Sequence, residues 1–175
     1  MWARSIDNVH ERRIAASAAE VGHLLDRLGG ERDALWPTEW WWPMTLDRPL
    51  GVGADGGHGA IRYRVVEHDP GRRVRFEVHS VRGISGFHEF TITDLGDGAL
   101  LRHDLRCGLR GVMRLVGPVV VEPLHDAVLE DLLDNAERLA VGRVQRVARW
   151  SPWVRMLRLV DGDLPGGVWR RARKA

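Results

Sequence analysis

The sequence predicts an α+β domain in which a curved antiparallel sheet of about six strands wraps around a long C-terminal helix, with two short helices after the first strand. Three observations predict it. Between Ile61 and Leu109, four successive runs alternate apolar and polar residues and are separated by turns rich in Gly and Pro. From Val119 to Leu139, apolar residues recur at helical spacing. A capped amphipathic segment stands between the first strand and the sheet. A bent sheet closed by a helix leaves space between the two layers, so this order also predicts a pocket.

Asp7 to Ile14 reads as a strand with polar residues on both faces, which specifies its register weakly. Glu11 and Arg13 are its candidates for reaching the interior. Ser17 and Glu20 then form a capping box ahead of Val21, Leu24, Leu25 and Leu28, and Gly29-Gly30 stops that helix. A second helical piece is expected over Glu31 to Trp36. The following stretch, Trp36 to Pro43, holds Trp36 before Pro37 and Trp40, Trp41 and Trp42 between Pro37 and Pro43, flat apolar surface suited to a lid. Leu46 to Val52 is a weak strand. The glycine-rich Gly51 to Gly59 stretch lacks the G-K-[ST] ending of a phosphate-binding loop.

In the meander, Ile61, Tyr63 and Val65 share one face, as do Val74, Phe76 and Val78, around an Asp69-Pro70-Gly71-Arg72 turn of type II character. His88, Phe90 and Ile92 oppose Leu105, His103 and Leu101 about the Leu95 to Gly98 loop. Gly111 to Gly142 is helical, with Pro118 and Pro123 restricting its early turns. Val121, Leu124, Val128, Leu132, Ala136 and Leu139 gather on one stripe, and Asp126, Glu130, Asp134 and Glu137 are expected on a solvated face.

The 175 residues carry a net charge of +2, which hides an asymmetry. Residues 143–175 hold nine basic and two acidic side chains, whereas residues 1–142 carry 17 basic and 22 acidic ones. The division is therefore a ligand-binding domain over 1–142 and a basic amphipathic tail over 143–175. The single cysteine, Cys107, excludes an internal disulfide. No leader-like or membrane-spanning apolar run is read, so a cytoplasmic location is expected, with the tail able to reach an anionic membrane surface. Electrostatics alone would give nucleic acid no more than non-specific affinity.

Arg13-Ile14-Ala15-Ala16-Ser17-Ala18-Ala19-Glu20-Val21 is similar to the strand-to-helix entry of the START-like, or polyketide cyclase (SRPBCC), superfamily. The strands from Ile61 to Leu109 and the helix from Val119 to Leu139 fit the rest, so the resemblance covers about Ile6 to Gly142. It implies a helix-grip fold. It also implies one of several activities, since such a superfamily includes lipid carriers, hormone-type binders and cyclase or dehydratase enzymes. The chain lacks the Ala-Pro that many members carry after the position of Ile14.

Strand phasing points His88, His103 and Tyr63 inward, and His125 sits on the apolar stripe of the covering helix. These four are the candidate catalytic or ligand-orienting groups. Trp41, Val65, Phe76, Phe90, Leu105 and Leu132 are the candidate ligand-binding walls. Three functions are open. One is binding of a small hydrophobic or aromatic, lipid- or polyketide-like ligand. Another is a cyclase or dehydratase-like enzyme in which a histidine removes a proton while Tyr63 or another histidine donates to the developing oxyanion. The third is a peripheral membrane adaptor acting through the tail. No short ligand spacing such as H-E-x-x-H accompanies the histidines, so neither metal nor cofactor is assigned.

Overall fold

A computed structural model describes residues 4–59 and 61–160. Seven strands form one antiparallel sheet: β1 (Arg4–Ile14), β2 (Thr45–Leu46), β3 (Asp55–His58), β4 (Ile61–Asp69), β5 (Arg73–Val78), β6 (Ile84–Asp94) and β7 (Ala99–Leu109). Their order is β1-β7-β6-β5-β4-β3-β2, so the first strand closes against the last. Helix α1 (Ala18–Leu25) follows β1. The chain then leaves β7 through α2 (Met113–Val116), a π-helical turn at Gly117–Val121 and the long α3 (Glu122–Val141). A last helix, α4, spans Pro152–Val160.

The meander forms as its alternation dictates. His88 pairs with Leu105, Phe90 with His103 and Ile92 with Leu101, the expected register. At the β4–β5 corner, Arg72 N–H donates to Asp69 O at 3.0 Å and Gly71 supplies φ of 71°, the positive value a type II turn needs. That corner docks on α1. A Cβ at Gly22 would lie 2.5 Å from the Gly71 carbonyl oxygen, so only glycine allows the approach. Asp26, capping α1, accepts from Gly71 N–H at 2.7 Å and fixes the contact. α1 begins as expected, with Ser17 and Glu20 capping each other.

Three local expectations are corrected. Residues 31–36 form turns, not a helix, because the Asp33 carboxylate takes the backbone N–H groups of Gly29, Leu35 and Trp36 and so competes with helical bonding. The weak strand expected over Leu46 to Val52 is replaced by β2 and β3, whose ladder pairs Thr45 with Gly57 and Leu46 with Gly56. The carboxylate face of α3 is solvated only in part, at Asp126 and Glu130, whose side chains are 43% and 40% exposed. Asp134 and Glu137 are 4% and 3% exposed, while Leu139, placed on the apolar stripe, is exposed. The reason is that α3 is enclosed on two sides, by the sheet, whose β1 brings Arg12 to these carboxylates, and by the segment after Gly142.

The core lies between the concave sheet, α1 and α3, and includes Ile14, Val21, Leu25, Val74, Phe76, Leu101, Leu132, Leu133 and Ala136. Residues 143–160 lie on the body. Ala148 N–H and Gln145 N–H donate to Asp134 and Glu137, and the Trp153 indole donates to Val119 O at 2.7 Å. The end of the basic tail, with Arg170, Arg171, Arg173 and Lys174, lies outside the described residues. Among the described residues no helix is long and apolar enough to cross a membrane.

Candidate functional site

The grip of β4, β6 and β7 around α3 leaves a cavity of about 280 Å³. This is close to the lower end, ~300 Å³, of small-molecule sites. Its apolar walls include Ile6, Val78, Ile84, Phe90, Leu105, Val120, Leu124 and Val128. Trp36, Trp41 and Trp42 line it from the tryptophan-rich segment. That segment is held by the Trp36 indole donating to Trp42 O and by the Trp41 and Trp150 indoles both donating to Asp131. Arg158 of α4 also reaches this wall, with its guanidinium 4.4 Å above the Trp41 ring and donating to Trp40 O.

Four imidazoles enter the apolar lining: His58, His88, His103 and His125. Tyr63 stands among them, 4.6 Å from His88 and 5.7 Å from His58 between ring centroids. His88 stacks on Phe76 at 4.9 Å, and His103 packs on Phe90 at 4.6 Å and beside His125 at 5.0 Å. His103 Nε2 and His88 Nδ1 share a hydrogen bond of 3.3 Å. Their other nitrogens, His88 Nε2 and His103 Nδ1, are buried without a hydrogen-bond partner among the described residues.

Electrostatics keeps this cluster neutral. Burial, with a smaller contribution from the neighbouring His125, pushes His88 down to about 3. Burial likewise pushes His58 to about 4 and His103 well below the usual histidine range. Burial lowers His125 too, against the opposing pull of Asp126. The Tyr63 hydroxyl is held above its ordinary range by burial. Cys107 lines the wall, and burial raises its thiol to about 11, which fits a packed rather than a reactive side chain.

Of the residues singled out in the sequence, His88, His103, His125, Tyr63, Trp41, Phe90 and Leu105 meet at the cavity. Val65, Phe76 and Leu132 lie instead in the solid core, at 1%, 0% and 0% exposure, outside the cavity lining. They share the inward face but sit where α1 and α3 have already filled the space. His58 was not anticipated, because its glycine-rich surroundings read as a turn and not as a strand.

The larger omission is β1. Its even positions, Ile6, Asn8, His10, Arg12 and Ile14, face α3, while Glu11 and Arg13 point out to solvent. His10 Nδ1 donates to Glu130 at 2.7 Å, and its Nε2 lies 3.3 Å from Asp126. Arg12 reaches Asp134 at 2.9 Å, Glu137 at 2.8 Å and Glu130 at 3.2 Å. Burial alone would lower His10, but its bonds to Asp126 and Glu130 outweigh that and raise it. The identity of Ile6 and Ile14, which share a parity with His10, was the available signal.

No protein-family model matches the chain, and no curated protein matches it. Solved structures do. A norcoclaurine synthase point mutant from Thalictrum flavum, in complex with a transition-state analogue, is 14% identical; 81% of this chain matches 98% of that one with a TM-score of 0.62. CalU16 from Micromonospora echinospora is 18% identical over 95% of this chain and 88% of its own, with a TM-score of 0.56. DynU16, from the dynemicin biosynthetic locus, is 18% identical over 78% of this chain and 48% of its own, again with a TM-score of 0.56. At these identities the likeness establishes the fold: the chain has the helix-grip fold of START-like (SRPBCC) proteins.

Proposed function

We propose that the protein binds a small hydrophobic or aromatic ligand, of polyketide or lipid character, inside the helix-grip cavity. The observation that carries this reading is an apolar chamber in which, among the described residues, four uncharged imidazoles cluster beside Tyr63, three of them with unused ring nitrogens. Apolar walls supply affinity, and the few convergent polar groups orient the ligand's polar end. Solved relatives of the same fold include a synthase bound to a transition-state analogue. Binding is nevertheless favoured over acid–base catalysis. A general base works best with a pKa near the operating pH, and His88 and His58, at about 3 and 4, are weak proton acceptors. Neutral imidazoles of this kind serve better as hydrogen-bond partners for a carbonyl or phenol. Native mass spectrometry of the purified protein tests the reading: a retained small molecule is expected, with retention weakened in His88→Ala. A protein that carries none, and gains no thermal stability from a panel of aromatic polyketides and fatty acids, would count against it.

A second reading, contact with an anionic membrane surface, is favoured by exposed apolar side chains next to basic ones. Leu115, Val119, Trp153, Met156 and Leu159 are all exposed, and the Trp153–Val119 hydrogen bond joins their two segments. Exposed Arg143, Arg146 and Arg149 lie in the segment leading to α4, and exposed Arg155 lies in α4. Such a combination suits an interfacial helix. The full chain is expected to sediment with vesicles containing phosphatidylserine but not with neutral ones, and Leu115→Glu with Met156→Glu should abolish it. Unchanged sedimentation of the double variant would end this reading.

A further inference from the structure

We propose that His10, His125 and Asp126 form a binding site for a divalent transition-metal ion of the zinc or iron(II) class. One ligating atom from each lies within 4.8 Å of the others. His10 Nε2 and Asp126 Oδ1 are 3.3 Å apart, and His125 Nδ1 is 3.9 Å from the same oxygen. A tetrahedral ion with bonds of about 2.0–2.1 Å needs ligand atoms about 3.4 Å apart. The first pair already meets that spacing, and the second needs a closure of about half an ångström by the same measure.

An ion pair explains only part of this arrangement. It accounts for His10 between Asp126 and Glu130, but gives His125 Nδ1 only a long approach of 3.9 Å to Asp126. That nitrogen is buried, has no hydrogen-bond partner among the described residues, and is too far from Asp126 to make one. A metal ion would use its lone pair. The surroundings are those of an oriented ligand set. Glu130 accepts from His10 Nδ1 at 2.7 Å, which leaves Nε2 as the donor atom facing Asp126. This carboxylate–imidazole relay is the usual outer support of a metal-bound histidine. Asn8 Nδ2 donates to Asp126 Oδ1 at 2.8 Å and steadies the carboxylate, while Asn8 Oδ1, buried and unpartnered among the described residues, offers an acceptor to a metal-bound water.

The fold assembles the set from two elements that neither sequence spacing nor a short motif reveals: β1 supplies one imidazole, and the start of α3 supplies the other with the carboxylate. His125 also lines the apolar cavity, whereas Asp126 and Glu130 line an outer groove beneath residues 145–154. The triad thus stands in the partition between them. Two imidazoles and one carboxylate leave positions open to water or to an anionic oxygen. The site requires no organic ligand, so it stands or falls independently of the cavity reading.

The test is titration of the chelator-stripped full chain with Co²⁺ alone, followed by visible absorption. One equivalent should bind with d–d bands and be displaced by Zn²⁺. Asp126→Asn and His125→Gln should each remove this stoichiometric uptake, and Glu130→Gln should weaken it by about 10–100-fold. His79→Ala, which alters an exposed surface histidine paired with Asp55, should leave it unchanged. Circular dichroism of each variant separates loss of ligation from loss of fold, and Glu130→Gln provides a milder second measure. Absence of stoichiometric uptake by the wild type would overturn the proposal, as would uptake that survives in Asp126→Asn and His125→Gln.

Discussion

Arg12→Ala is expected to lower the unfolding free energy by about 3 kcal/mol, near the low end of the ~3–5 kcal/mol seen when one partner of a buried ion pair is removed. The guanidinium is 17% exposed and faces Asp134 and Glu137, whose side chains are 5% and 3% exposed. Burial would lower the Arg12 pKa, but hydrogen bonds to both carboxylates outweigh that and raise it. Deleting it leaves two carboxylates in a nearly dry wall. Each keeps one backbone donor, Ala148 N–H on Asp134 and Gln145 N–H on Glu137, which holds the loss toward the low end. Because these contacts also tie residues 145–148 to α3, the variant should loosen that segment and speed its hydrogen exchange. Urea unfolding of wild type, Arg12→Ala, and Arg12→Ala in an Asp134→Asn, Glu137→Gln background provides the check. The cost should shrink in the last background, where no buried charge is stranded. A cost below about 1 kcal/mol in the single variant would mean that the pair behaves as an exposed one.

Much of the fold was legible in the sequence because its strongest signals are local. Alternation from Tyr63 to Leu109 fixes which side chains face inward, and the Leu95 to Gly98 loop fixes the register that sets His88 beside His103. The Ser17–Glu20 capping box marks a helix start by itself. What stayed hidden depends on distant partners. His10 and Arg12 read as members of a two-sided polar strand, since nothing near them in the chain shows that α3 will lie across one face. Their partners, Asp126, Glu130, Asp134 and Glu137, read as solvated for the same reason. Paired polar residues cancel each other's burial cost only in three dimensions, so neither half carries an apolar signature. The turn at Asp33 was a different failure: propensity suggested a helix, and one carboxylate taking three backbone donors decided otherwise.

Acidification is expected to destabilise the protein well above the pH at which carboxylates titrate, and the cavity imidazoles are the reason. Burial holds His88 down to about 3 and His58 to about 4 in the folded chain, against an ordinary histidine value of about 6.5. Below pH 6.5 the unfolded chain therefore binds protons that the native state refuses. Stability is fully present above that pH and falls as pH drops, until the native pKa values are reached. With 1.36 kcal/mol per pKa unit, each of the two histidines should cost about 2 kcal/mol between pH 7 and pH 5. The groups packed against His88 do not offset this. Tyr63 and Phe76 carry no charge in that range, and His103 across the sheet is itself held neutral by burial. His58 faces Trp36 and Tyr63, which are equally uncharged there. His88→Leu keeps similar volume and removes one titrating group, so its stability should fall about 2 kcal/mol less over the same interval. Urea midpoints of both proteins at pH 7, 6 and 5 measure the difference. Identical slopes would show that His88 is solvated enough to take a proton in the folded state. The neutral hydrogen-bonding wall on which the ligand reading rests would then be lost, because a charged imidazole in an apolar chamber would repel the same hydrophobic guest that a neutral one can orient.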